Sequence, residues 1–209
     1  MKLLLAGATG LVGSHALRLA LADPAIERVI APTRRPLPPH PKLDAPSIDW
    51  DALPPDAPWW RVDAVVCALG TTMRAAGSRE AFRRVDFDYP LALGQAAHRA
   101  GARVYALNSA LGADAGSRVF YNRVKGELEQ ALAEVGFDSL TYVRPGLIGG
   151  ERAQSRPGEA AASVLLRTLG PLLPRRWRIN PAPHIAQALL DAALRAEPGV
   201  HAVGSERLV

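Results

Sequence analysis

The chain has 209 residues, 48% of them hydrophobic and 22% charged, proportions that fit one sizeable globular domain with a full core. No apolar run approaches the ~20 residues of a bilayer span, and the 25 basic against 20 acidic residues lie in dispersed pairs such as Arg83-Arg84 and Arg175-Arg176, which argues against a membrane or nucleic-acid partner. Cys67 is the only cysteine, so an internal disulfide is excluded; a reducing, cytoplasmic setting without a secretory leader is expected, and five scattered histidines predict no metal site.

Leu3 to Ala6 is a short apolar run that meets a turn carrying Gly7, Gly10 and Gly13, followed by a helical pattern over 11 to about 22 that Asp23-Pro24 ends. A strand, a glycine turn and a helix start are how a dinucleotide-binding βαβ unit begins. The spacing is G-x-x-G-x-x-G, not the standard G-x-G-x-x-G, so its weight comes from following the first strand directly. Gly7 permits the turn, Gly10 lets backbone amides approach a pyrophosphate, and Gly13 lets the helix pack close to the sheet. Thr9, Leu11 and Val12 join them as candidate cofactor contacts, because the first helical turn offers unpaired N–H groups to phosphate.

Val29 to Ala31 reads as a second strand, parallel to the first. Its exit carries Thr33, Arg34 and Arg35 and no carboxylate, which favours the 2′-phosphate of NADP(H) over the free ribose of NAD(H). Residues 36 to 60 are proline-rich and irregular apart from a short strand around Ser47 to Trp50, where Asp49 and Trp50 would meet the adenine. Asp63 to Leu69 is a buried strand with Cys67 as a small core residue, and Ala68, Leu69, Gly70 and Thr71 at its exit are further cofactor candidates.

Residues 78 to 100 read as helical, closed by Gly101, and Arg103 to Leu107 as a strand ending in Asn108-Ser109. Ser117 is the expected N-cap of a helix that carries Tyr121 and Lys125 and ends near Gly136. Ser139 to Val143 makes the next strand and leads to Pro145 and Leu147, the last two cofactor candidates. A polar loop, GGERAQSRPGEA, then precedes helices expected over 159–173 and 184–195. The alternation predicts an α/β Rossmann-type doubly wound parallel sheet with a small C-terminal helical extension, a single domain over 1–209 in which 146–209 form part of a substrate-side lobe. A monomer or homodimer is expected.

Tyr121 and Lys125 lie four apart on the predicted helix, so both project from one face. A phenol near pKa 10 becomes a useful acid or base at neutral pH only if its phenolate is stabilised, and a neighbouring ammonium is expected to lower that value. Asn108 joins the cofactor candidates, and Ser109 would hydrogen-bond a substrate carbonyl. The catalytic candidates are therefore Ser109, Tyr121 and Lys125.

GATGLVG, TRR after the second strand, CALGTT after the fourth, Y-x-x-x-K with an upstream Ser, and RPG together resemble the atypical short-chain dehydrogenase/reductase superfamily. The strings AFRRVDFDY, SALGADAGSRVFYNRVKGELE and RPGLIGGERAQSRPGE are similar to the branch of small oxidoreductases that includes the mammalian Tat-interacting metastasis suppressor. The resemblance implies an NADP(H)-binding Rossmann fold with Ser109, Tyr121 and Lys125 in the catalytic places. Where extended relatives carry an asparagine, this chain has Asp86. The expected function is an NADP(H)-dependent oxidoreductase acting on a small carbonyl or alcohol. The alternatives are an NADP(H)-sensing regulator and a sugar-nucleotide epimerase or dehydratase.

Overall fold

A computed structural model describes residues 1–149 and 174–209. The chain opens with β1 (Lys2–Ala6), α1 (Leu11–Ala22), β2 (Arg28–Ile30) and β3 (Leu43–Asp44). It continues through β4 (Ala64–Cys67), α2 (Met73–Ala76), α3 (Arg79–Arg83), α4 (Tyr89–Arg99), β5 (Val104–Asn108), α5 (Phe120–Ala133) and β6 (Ser139–Arg144). The short strands β7 (Ile148–Gly149) and β8 (Asn180–Pro181) pair with each other, and α6 (Ala182–Arg195) and β9 (Gly199–Gly204) follow.

Seven strands form one sheet in the order β3-β2-β1-β4-β5-β6-β9, every neighbouring pair parallel. This is a Rossmann-like α/β fold. In β1 the side chains alternate between two buried layers, Leu3 and Leu5 on one face and Leu4 and Ala6 on the other. A central parallel strand covered on both sides needs such an unbroken apolar run. On the first face α1 and α6 pack over the sheet through Val12, Ala16, Ile185 and Leu189. The second face is filled from α4, α5 and the Trp60 turn by Leu93, Leu128, Leu132 and Trp60. The chain moves outward from β1 to β2 and β3, then returns to β4, which leaves a crevice at the carboxyl ends of β1 and β4.

Four expectations are corrected. The strand expected over Ser47 to Trp50 is instead β3, with only an isolated bridge between Thr33 and Ser47. Pro46 has no N–H to extend the ladder, although its carbonyl accepts the Thr33 N–H at 3.0 Å. Ser117 does not cap α5, whose N-cap is Val119; the Ser117 hydroxyl accepts the Val119 N–H at 3.2 Å, two residues early. The C-terminal part is more than helical, because β9 adds a seventh strand beside β6.

The helix expected over 78–100 is interrupted by a π-helical turn at Arg84–Asp88, where the Tyr89 N–H bonds the Arg84 carbonyl five residues back. Pro90 explains the slip, since it has no N–H to offer the carbonyl four residues before it. The helix expected over 159–173 and residues 150–160 of the polar loop lie outside the described residues. Among the described residues no helix is long and apolar enough to cross a membrane, and no group of three His, Cys, Asp or Glu is arranged to hold a metal ion.

Candidate active site

The turn after β1 is held against the exit of β4. Gly7 sits at φ +85°, and a Cβ there would stand 2.6 Å from the Ala68 carbonyl oxygen. A Cβ on Gly13 would lie 2.0 Å from the Gly7 oxygen, so α1 begins in direct contact with the turn. Gly10 is exposed and open on its outer side, where the nearest obstacle to a Cβ is the Gly7 oxygen at 3.2 Å. No side chain caps α1 at Gly10, which leaves the helix amino end to backbone N–H groups alone.

Gly7, Thr9, Thr33, Arg34, Arg35, Trp50 and Leu69 line one groove beside that helix end. The Thr33 hydroxyl accepts the Arg35 N–H at 3.2 Å, and the Arg35 guanidinium reaches across to the Thr9 carbonyl at 3.2 Å. Leu11, Val12 and Gly13 offer only backbone here, because the side chains of Leu11 and Val12 turn into the core. Trp50 stacks on Tyr89 with ring centroids 5.9 Å apart. Asp49 is exposed and its carboxylate accepts the Asp51 N–H at 3.0 Å, which makes it a turn cap. The residues present fit a dinucleotide: an uncapped helix end, an open glycine in front of it, and a basic rim at the exit of β2. At the end of β5 the buried Asn108 Oδ1 has no hydrogen-bond donor among the described residues, an acceptor suited to a ligand N–H or O–H.

Tyr121 and Lys125 share one face of α5. The Tyr121 ring packs on Phe82 at 5.7 Å and remains 37% exposed, on the wall of a cavity of about 280 Å³. Ala110, Leu111, Pro145, Gly146, Leu147 and Arg176 complete that wall. Lys125 is buried beneath, its ammonium 2.8 Å from Asp86 Oδ1, while Asp86 Oδ2 accepts the Thr71 N–H at 2.8 Å. Gly70 passes so close that a Cβ would lie 3.3 Å from Asp86 Oδ1 and 3.8 Å from the Lys125 ammonium. Burial disfavours the Lys125 charge, but the Asp86 carboxylate beside it and Tyr121 together outweigh burial, and the ammonium is held above its ordinary value. For Tyr121, burial and Asp86 both push the phenol up against the pull of Lys125, and the net direction is upward. The pull of Lys125 is present as expected, but burial outweighs it and Asp86 opposes it, so the expectation of a lowered phenol is corrected in its net direction.

Ser109 is not brought to this cavity. Its hydroxyl is 3% exposed and donates to Glu129 Oε1 at 2.5 Å, while Ala110 takes the place on the cavity wall. Glu129 also receives a two-point contact from Arg144, with Nε at 3.0 Å from Oε1 and the terminal nitrogen on Oε2, and its backbone carbonyl accepts from the Tyr142 hydroxyl at 2.6 Å. The geometry thus corrects the assignment of Ser109 as substrate donor: the hydroxyl ties β5 to α5. Ser109→Ala is expected to lower unfolding free energy by about 1–2 kcal/mol in urea titration. A substrate-bonding role predicts instead lost turnover at unchanged stability. Glu129 was missed in the sequence, although an acid four residues after Lys125 on the apolar face of a helix is a readable signal. Asp86 showed only as a departure from related chains, since the π turn that aims it inward has no spacing signature.

The family model described as the NAD dependent epimerase/dehydratase family matches residues 3–120. "Protein fmp52, mitochondrial" of Emericella nidulans is 36% identical over 217 residues, covering 98% of this chain and 92% of that protein. Among solved structures, MoeE5 in complex with UDP-glucose and NAD superposes with a TM-score of 0.74 at 17% identity, covering 98% of this chain and 76% of that one. An oxidoreductase of the short chain dehydrogenase/reductase family from Burkholderia thailandensis gives 0.66 at 20% identity, covering 99% and 92%. The fungal relatives are named as mitochondrial proteins, which overturns the cytoplasmic expectation. A single cysteine excludes an internal disulfide but does not identify a compartment.

Proposed function

The chain belongs to the NAD dependent epimerase/dehydratase family, in the atypical short-chain dehydrogenase/reductase branch, and from that premise we propose that it is an NADP(H)-dependent oxidoreductase acting on a small carbonyl or alcohol. The observation that carries the reading is the meeting of a lysine-backed phenol, Tyr121, with an open cavity close to the glycine-lined groove. NAD bound in the solved complex of MoeE5 supports a nicotinamide cofactor in the same fold.

When bound, the nicotinamide supplies or accepts hydride at the substrate carbon. The chain's own residues do the rest. Backbone N–H groups at the start of α1 hold the pyrophosphate, and Gly10 keeps the approach clear. Arg34 and Arg35 meet a 2′-phosphate, because a guanidinium fits phosphate in two-point geometry and no carboxylate stands ready there for a 2′-OH. Lys125 sits next to Gly70 at the exit of β4, fixed from behind by Asp86. Tyr121 exchanges the proton of the substrate oxygen through its hydroxyl. Leu111, Pro145 and Leu147 give that oxygen apolar walls. The cavity, about 280 Å³, lies just below the ~300–1,000 Å³ typical of ligand pockets, which favours a small carbonyl over a sugar nucleotide.

Fluorescence titration with NADPH and NADH tests the cofactor choice, and a carbonyl panel followed by NADPH consumption tests the reaction. NADPH is expected to bind more tightly, and the double variant Arg34→Ala/Arg35→Ala to lose about tenfold or more in NADPH affinity while NADH binding holds. Equal wild-type affinities for the two cofactors contradict the choice of NADP(H).

A further inference from the structure

Lys125 and Asp86 form a buried ion pair, their side chains 4% and 1% exposed. Such a pair is costly to desolvate, and its retention beside a reacting group calls for a chemical reason. Both carboxylate oxygens are engaged, Oδ1 by the ammonium and Oδ2 by the Thr71 N–H, so the pair is anchored to the turn after β4 as well as to α5. The π-helical turn at Arg84–Asp88, placed by Pro90, delivers the carboxylate there. Every positive charge that Lys125 brings to Tyr121 therefore arrives with a negative one.

We propose that Asp86 is a positioning residue that holds Lys125 as a neutral pair and so keeps Tyr121 a proton donor, setting the site for carbonyl reduction rather than alcohol oxidation at neutral pH. The inference rests on the oxidoreductase reading above. Reduction needs a proton on the Tyr121 oxygen, to be given to the oxygen of the carbonyl as its π electrons move onto it. Oxidation needs the phenolate to take the alcohol proton. An unopposed ammonium lowers a neighbouring acid by about 1–3 pH units, and a carboxylate joined to it opposes part of that pull. Burial then dominates, and the phenol ionises above its ordinary range. The charged and titratable groups near it are Lys125 on its own helix, Asp86 from the π turn, Arg176 across the cavity, and Cys67 of β4 behind Lys125, a thiol that burial keeps protonated.

Absorbance titration of tyrosinate in the protein without cofactor or substrate reads this directly. Wild type minus Tyr121→Phe isolates Tyr121 from the other three tyrosines. The wild-type midpoint is expected above about 10, and Asp86→Asn is expected to lower it by about 1–3 units, with Asp86→Glu restoring it. If Asp86→Asn does not fold, the charge-free pair Asp86→Asn/Lys125→Met carries the test: its midpoint falls between those of wild type and Lys125→Met alone, the gap to Lys125→Met being the push of Asp86. In pH–rate profiles of carbonyl reduction the alkaline limb moves with the tyrosinate midpoint. A loss of turnover in Asp86→Asn with an unmoved limb marks a purely structural role and overturns the proposal. An unmoved midpoint in an active enzyme overturns this inference alone. A shifted midpoint in a protein that turns over no carbonyl overturns the oxidoreductase reading beneath it.

Discussion

Tyr121→Phe is expected to lower carbonyl turnover by about 10²–10⁴-fold, the usual worth of a placed proton donor, while NADPH affinity stays at the wild-type level. The phenylalanine ring keeps the packing on Phe82 and the cavity wall, so only the hydroxyl is lost. The effect belongs in kcat: the proton is needed in the transition state, where charge develops on the substrate oxygen, and not in the ground-state complex. Steady-state kinetics with NADPH and any substrate found in the panel reads the two parameters apart. A rise in KM with unchanged kcat assigns the hydroxyl to binding, and equal turnover removes Tyr121 from the chemistry.

Gly13→Ala is expected to cost about 3 kcal/mol or more, at or beyond the upper end of overpacking penalties, because its Cβ would stand 2.0 Å from the Gly7 oxygen. Backbone cannot rotate away as a flexible side chain does, so either α1 lifts from the turn or the turn leaves β4. Against the ~5–15 kcal/mol that holds a native domain together, that loss is large, and a thermal melt should show it plainly. Gly10→Ala provides the contrast. Its Cβ would meet only the Gly7 oxygen at 3.2 Å, a contact that a shift of a few tenths of an ångström relieves, so the melt falls far less than in Gly13→Ala while dinucleotide affinity falls, since the added carbon occupies the phosphate's approach. Equal stability of the two variants would contradict the packing role of Gly13.

How far the residues announced this outcome depends on the distance over which each signal acts. β1 and α1 are legible because an apolar run, a glycine turn and Asp23-Pro24 are all local, and the observed helix ends at Ala22. The groove at the exit of β2 follows from three adjacent residues, Thr33, Arg34 and Arg35, and those residues do line it together. Tyr121 and Lys125 come together because helical spacing alone brings them to one face. The seventh strand was hidden, since GVHAVG on an exposed edge has neither a buried run nor strict alternation. Ser109 was misassigned because its partner Glu129 lies twenty residues on, and only the packing of α5 against β5 turns the hydroxyl towards it. Asp86 needed one fact that spacing does not carry, the i+5 register before Pro90 that points it at Lys125. Local chemistry wrote the cofactor side, and tertiary contacts wrote the proton side.

The account stands on the groove between the glycine turn and the exit of β2 holding a nicotinamide dinucleotide. The direct measurement is titration of the wild-type protein with NADPH in the absence of any substrate, followed by nicotinamide fluorescence or calorimetry. Saturable binding of one NADPH per chain, displaced by NADP and lost in Gly10→Ala, is the predicted result. No binding of either NADPH or NADH by the folded wild-type chain would contradict it.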